Sequence, residues 1–234
     1  MDYRRIGTWI RYTWLPEKKF FNSINLSLNI GKMDDHAGDV VTDRWTGMNV
    51  NVEFSNFNRI FIHFSNNMER YGGINFKKNR FQINGQSNFI RWLDFNAGLS
   101  IGDSIKYDPE SPFLGWSFSP WIWLNFRPNT QLQAGLSFSK YTFWEKRGGK
   151  LLWDYNVLRQ ITTYQISKTI SLRTIIDYNH YYKKLYGSFL LSYILRPGTV
   201  FFLGYDDNFQ RDEFGSYVRT NRTIFLKFSY WWRV

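Results

Sequence analysis

The side chains able to do chemistry are few and scattered. Three histidines, His36, His63 and His180, lie far apart. His36 follows Asp34 and Asp35, but a metal site needs several convergent ligands at fixed geometry, so this run reads as a polar loop. Asp206, Asp207, Asp212 and Glu213 supply the clustered oxygens a Ca²⁺ ion takes, and read as solvated loop charge for the same reason. No G-x-S-x-G occurs and no Ser, His and acid stand together locally. Gly72-Gly73 and Gly148-Gly149 are turn glycines rather than a phosphate loop. Trp121, Trp123 and Trp231 have basic neighbours and suit sugar or base stacking, but an interfacial or space-filling role fits them better. With no cysteine there is no thiolate site, and no cofactor is expected. An active site would require a wall of strands to bring His63 or His180 to a serine and a third polar group.

Such a wall is what the pattern describes. In FNSINLSLNIG, residues 21–31, Ile24, Leu26, Leu28 and Ile30 share one parity, and Ser23, Asn25, Ser27, Asn29 and Gly31 the other. A period of two means β-strand. The wet face of a soluble sheet usually carries Lys, Glu and Thr, whereas this one carries small uncharged polar groups suited to a confined, hydrated lumen. A continuous Ile and Leu row suits lipid. LDFNAGLSIG (93–102), QLQAGLSFS (131–139) and TIFLKFSYWWRV (223–234) repeat the pattern. Pro120 falls on the apolar parity of its strand, where a lost ladder donor predicts a bulge or break. Stretches 151–165 and 199–206 are apolar on both parities in places, which predicts packing on their lumen side.

Composition agrees. Of 234 residues 21% are aromatic, with 11 Trp, 15 Tyr and 22 Phe, the excess that interfacial girdles of a barrel require. No window is long and apolar enough for a membrane-spanning helix, and MDYRRIGTWIRY lacks the apolar core of a signal peptide. The net charge of +11 is dispersed singly, as at Arg11, Arg91, Arg127, Arg173, Arg196 and Lys227, so no nucleic-acid partner is expected. Lipid headgroups or a basic lumen explain it better.

The connections read as alternating short and long. Short ones are 16–19, 55–58, 85–88, 127–129, 167–169 and 196–198; longer ones are 32–43, 66–73, 106–112, 144–150 and 205–217. Outer-membrane barrels alternate in this way. Counting between turns gives about 12 to 14 strands in an antiparallel, up-and-down transmembrane β-barrel. Even strand numbers in bacterial barrels suggest a partner strand before Met1, so the single domain, 1–234, is expected to be the C-terminal part of a longer protein.

SNFIRWLDFNAGLSIGDSI, FRPNTQLQAG, LRPGTVFFLGYDDNF and the closing TIFLKFSYWWRV resemble the C-terminal barrel of the DUF5916 family of bacterial outer-membrane proteins. That resemblance implies an outer-membrane location, an N-terminal family 9-like carbohydrate-binding domain outside this chain, and carbohydrate as a partner only through that domain. It carries no catalytic signature. The partners expected are outer-membrane lipid, lipopolysaccharide and the barrel-assembly machinery. Phe228, Tyr230 and Trp232 form the expected C-terminal assembly signal, although Val234 stands where an aromatic residue is usual. The lumen-facing candidates are Arg5, Arg11, His63, Asp94, Asn96, Gln131, Gln133, Arg173, Lys227 and Arg233. Their basic excess predicts a pore of mild anion preference. The competing readings are an outer-membrane hydrolase acting on lipid or glycan, and a soluble β-protein binding glycan or nucleic acid. An exposed Leu and Ile face separates the membrane reading from the soluble one.

Overall fold

The computed structural model describes residues 3–17, 19–35, 40–56 and 58–231. Thirteen strands follow one another: β1 (Tyr3–Trp14), β2 (Phe21–Asp35), β3 (Val41–Phe54), β4 (Asn58–Tyr71), β5 (Ile74–Ile90), β6 (Leu93–Lys106), β7 (Phe113–Phe126), β8 (Leu132–Trp144), β9 (Leu151–Gln165), β10 (Ile170–Asn179), β11 (Lys184–Arg196), β12 (Thr199–Arg211) and β13 (Tyr217–Tyr230). Each pairs with its sequence neighbour, giving an all-β, antiparallel, up-and-down sheet with the connectivity of a transmembrane barrel and no helix among the described residues. No ladder joins β1 to β13 among the described residues, and both strands are exposed along their whole length.

By contacts the chain forms two compact units. The first comprises Met1–Phe89, Asn96–Trp121 and Lys140–Asp154; the second comprises Ile90–Phe95, Ile122–Ser139 and Tyr155–Val234. In the first, register lines up one apolar face across five strands. Tyr12, Leu26, Val50, Ile62 and Ile83 form one row, and Ile10, Leu28, Met48, Phe64 and Phe81 the next. The alternate residues form polar rows, such as Arg11, Ser27, Asn49, His63 and Gln82. Exposure is inverted relative to a soluble sheet: Leu26 is 46% and Met48 58% exposed, while Ser23 is 9% and Ser65 6%.

Glycines explain how the polar face closes up. The Trp45 ring lies over Gly31 and reaches Gly7, so a Cβ at Gly31 would overlap the indole. Trp121 covers Gly98 in the same way. In the second unit Phe225 covers Gly204, the residue opposite it on the neighbouring strand. These rings fill the space that missing side chains leave, an arrangement that fixes register by cross-strand contact. There the apolar face runs through Tyr164, Leu172, Leu191, Leu203 and Leu226, and the polar face through Gln165, Ser171, Ser192, Phe202 and Lys227. Phe202 and Phe225 thus supply the apolar packing on the polar side that residues 199–206 predicted.

Three expectations need correction. Every connection is two to six residues long, so the predicted alternation of short turns and long loops is largely absent. Most of 32–43, 66–73 and 205–217 is strand, because the polar ladder continues beyond the apolar rows through ion pairs such as Lys78 with Glu69 and through tight turns. Gly72 and Gly73 both adopt positive φ, +58° and +80°, as a two-residue hairpin needs. Residues 85–88 are also strand, and the turn there is 91–92. Finally, β7 runs unbroken through Pro120, since a proline removes only its own donor from the ladder. The predicted Pro-Gly turn is present: Gly198, at φ +85°, follows Pro197 between β11 and β12.

Candidate functional site on the polar face

In the first unit His63 ends a short side-chain relay centred on Asn49. Its Nδ1 meets Asn49 Oδ1 at 2.6 Å, and Asn49 Nδ2 donates to Ser27 Oγ at 3.0 Å. An amide oxygen only accepts, so Nδ1 is the donor in this contact. The ring stacks on Phe61 with centroids 6.3 Å apart. Ser27 therefore meets the amide rather than the imidazole, and the serine–histidine contact of a nucleophilic relay is not made here. Further along, Arg80 Nε and Gln82 Nε2 both donate to Ser100 Oγ, at 2.6 and 3.3 Å.

Charge on this face is unevenly spent. Glu53 pairs with Arg59 at 3.1 Å and Glu69 with Lys78. Arg5, Arg11 and Arg80 have no carboxylate partner within ion-pair distance among the described residues; Arg5 lies over the Trp45 ring and Arg11 over Trp9, each at 4.6 Å. At the rim, Tyr107 donates to Glu69 Oε1 at 2.8 Å, and burial, reinforced by that carboxylate, pushes its phenol up to about 12. Beside it, the Lys106 ammonium and the backbone N–H groups of Glu110 and Ser111 hold the Asp108 carboxyl below the usual range.

The second unit holds a groove of about 500 Å³ lined by Trp123, Gln133, Thr163, Ser171, Arg173 and Ser192. A hydrogen-bonded chain flanks it: Gln133 Nε2 donates to Asn125 Oδ1 at 3.2 Å, and Asn125 Nδ2 to Asp94 Oδ2 at 3.1 Å. Arg127 pairs with the same carboxylate oxygen. Arg159 holds Asp177 at 3.0 Å, whereas Arg173 and Lys227 have no carboxylate partner among the described residues. The groove thus offers an indole face, an uncommitted guanidinium, amides and hydroxyls, a set suited to a small polar or anionic solute.

No protein-family model matches the chain. No curated protein matches it either. Among solved structures, OmpT, an outer membrane protein of Vibrio cholerae folded in vitro, aligns over 98% of this chain and 96% of its own at 7% identity, with a TM-score of 0.35. A likeness at that score carries no argument about fold or function, which rest on the strands themselves.

Of the sequence-predicted residues, Arg5, Arg11, His63, Asp94, Asn96, Gln133, Arg173 and Lys227 lie on strands, on the parity of the small polar residues. Asp94 and Gln133 are joined through Asn125, and Gln133 and Arg173 line one groove. Gln131 is the exception. It sits in the β7–β8 connection, where Asn129 Oδ1 accepts from its N–H and from that of Leu132, and its carbonyl accepts from Gln165 N at 2.7 Å. Phe228 and Tyr230 share the exposed apolar parity of β13, and Arg196 donates to the Tyr230 hydroxyl at 3.2 Å. His36, Trp232 and Arg233 lie outside the described residues. His180 falls in the β10–β11 connection, edge-on to Tyr178 at 6.4 Å. Asn49 and Asn125 were missed as partners, although alternation through WTGMNVNVEF already puts Asn49 with the polar set.

Proposed function

We propose that this chain is the membrane-spanning β-barrel of an outer-membrane protein, its apolar face in lipid and its polar face on an aqueous path for small anionic or neutral solutes. One observation carries the reading: the aligned Leu, Ile, Met and Phe rows are the exposed face, while Ser and Asn on the alternate parity are the covered one. In water that arrangement exposes a contiguous apolar area far beyond what a soluble monomer tolerates. In lipid it is required, and the edges β1 and β13 must then be covered, by each other or by a further strand. Anchoring of a carbohydrate-binding domain, as the DUF5916 resemblance implies, is compatible with this role and is part of the proposal.

Solute preference follows from unspent charge. Polar-face acids Glu53, Glu69, Asp94 and Asp177 are each tied to a cation; Asp43 and Asp206 have no cation partner among the described residues, but they are outnumbered by Arg5, Arg11, Arg80, Arg173 and Lys227, which have no carboxylate partner there. The test is the reversal potential across a planar bilayer holding the full-length protein in a KCl gradient. Mild anion selectivity that weakens in Arg173→Glu is expected. Cation selectivity, or no conductance from correctly inserted protein, contradicts the pore.

A further inference from the structure

The apolar rows end differently at their two edges. Toward the β1–β2 turn the last row is Trp14, Ile24, Val52 and Ile60, and the next pair beyond, Asn58 with Ser87, is uncharged. At the opposite edge, past Thr8, Ile30 and Thr46, the same face presents Lys32 directly across from Arg44, and then Lys77 two strands on. Arg4 and Arg70 flank them on the same parity. Asp34 is the one acid in this cluster; it takes Lys32 at 2.9 Å and Arg4 at 3.3 Å. Arg44 and Lys77 are exposed and have no carboxylate partner among the described residues.

Like charges opposite one another across an antiparallel pair repel; Asp34 offsets Lys32 and Arg4, which leaves Arg44 and Lys77 as the cations of this edge still lacking an anion. The place of the cluster narrows what that anion is. It borders the apolar rows, so a phosphate held there has Ile30, Leu28 and Ile10 directly beneath it, where acyl chains would run. A free anion or a nucleic acid has no use for that apolar floor. Resting on the reading that this face meets lipid, the geometry points to a binding site for the phosphate of a membrane lipid headgroup, formed by Arg44 and Lys77 with Lys32 beside them on the outer wall. Adjacent strands are about 4.8 Å apart, so Lys32 stands one spacing from Arg44 and Lys77 two spacings, about 10 Å, on its other side, a gap that two long side chains reach across to one phosphate. Basic clusters at a membrane surface select anionic lipid in this way, and salt weakens them.

The experiment reconstitutes the full chain in phosphatidylcholine bilayers and compares the association of spin-labelled phosphatidic acid with that of spin-labelled phosphatidylcholine. Wild type is expected to prefer phosphatidic acid by about fivefold at low ionic strength. The double variant Arg44→Gln/Lys77→Gln falls toward equal association, the polar-face control Arg11→Gln keeps the preference, and added salt erodes it in wild type. Equal association in wild type, or a preference that survives the double variant, overturns the site. If inorganic phosphate at matched ionic strength stabilises wild type in phosphatidylcholine as much as phosphatidic acid does, the ligand is a soluble anion and the lipid assignment fails. Boil-sensitive migration is read first: its absence in wild type sinks the membrane reading itself, while its presence without lipid preference sinks this site alone. Should the double variant lose that band, the salt dependence in wild type still decides.

Discussion

Replacing Met48 by arginine separates a lipid-facing surface from a water-facing one. Met48 is 58% exposed and sits in the third of the four apolar rows that run from Trp14 to Thr8 along β1, before the charged row at Ile6. Those rows cover six residue steps, about 20 Å of strand. Tilted by roughly 40° they rise about 15 Å, inside the apolar band of about 25 Å of outer-membrane barrels. Met48 is thus near mid-depth, where an arginine on the lipid face costs roughly 2–4 kcal/mol. On a water-exposed surface the same change stays within about 0.5 kcal/mol. The assay is guanidinium titration of protein folded into phosphatidylcholine vesicles, following the boil-sensitive band, with Met48→Leu and the polar-face change Asn51→Arg as controls. A loss of about 2 kcal/mol or more for Met48→Arg alone is expected. A Met48→Arg protein as stable as wild type refutes the reasoning.

Other consequences follow from the same contacts. Gly31→Val forces the Trp45 indole off its seat, destabilising by about 1–3 kcal/mol and altering the near-ultraviolet circular dichroism, whereas Ser27→Ala leaves that spectrum unchanged. The Tyr107 phenol, raised to about 12, holds its proton in the folded chain where the unfolded chain has lost it, so stability is intact below the ordinary tyrosine range and declines as pH climbs toward 12. Tyr107→Phe lessens that decline, and denaturant midpoints measured across this range check it.

Much of the wall was legible because period-two alternation is a local signal: Leu26 and Ser27 announce opposite faces without knowledge of any partner. Strand ends were not legible, since Asn66 to Arg70 and Asp34 look like loop by composition and are held in strand by ladders, ion pairs and tight turns that depend on the neighbouring strands. Gln131 was misplaced for a related reason: its alternation fits the strand, but the Asn129 side chain captures the backbone N–H groups that would have begun it. Relations across strands were least visible. That Asn49 holds His63, that Asn125 joins Asp94 to Gln133, and that Lys32 faces Arg44 all depend on register, which shifts by a residue at bulges such as those flanking Asn22 and Leu195.

The claim on which everything else depends is that the Ile, Leu and Met parity meets lipid. The chain has no cysteine, so single cysteines can be placed through β3 at 46 to 52, spin-labelled and probed in bilayers with oxygen and with a water-soluble nickel complex. The account predicts a strict alternation, with 46, 48, 50 and 52 open to oxygen and 47, 49 and 51 open to nickel or to neither. Nickel access at 48 and 50 equal to that of a water-exposed turn would contradict it.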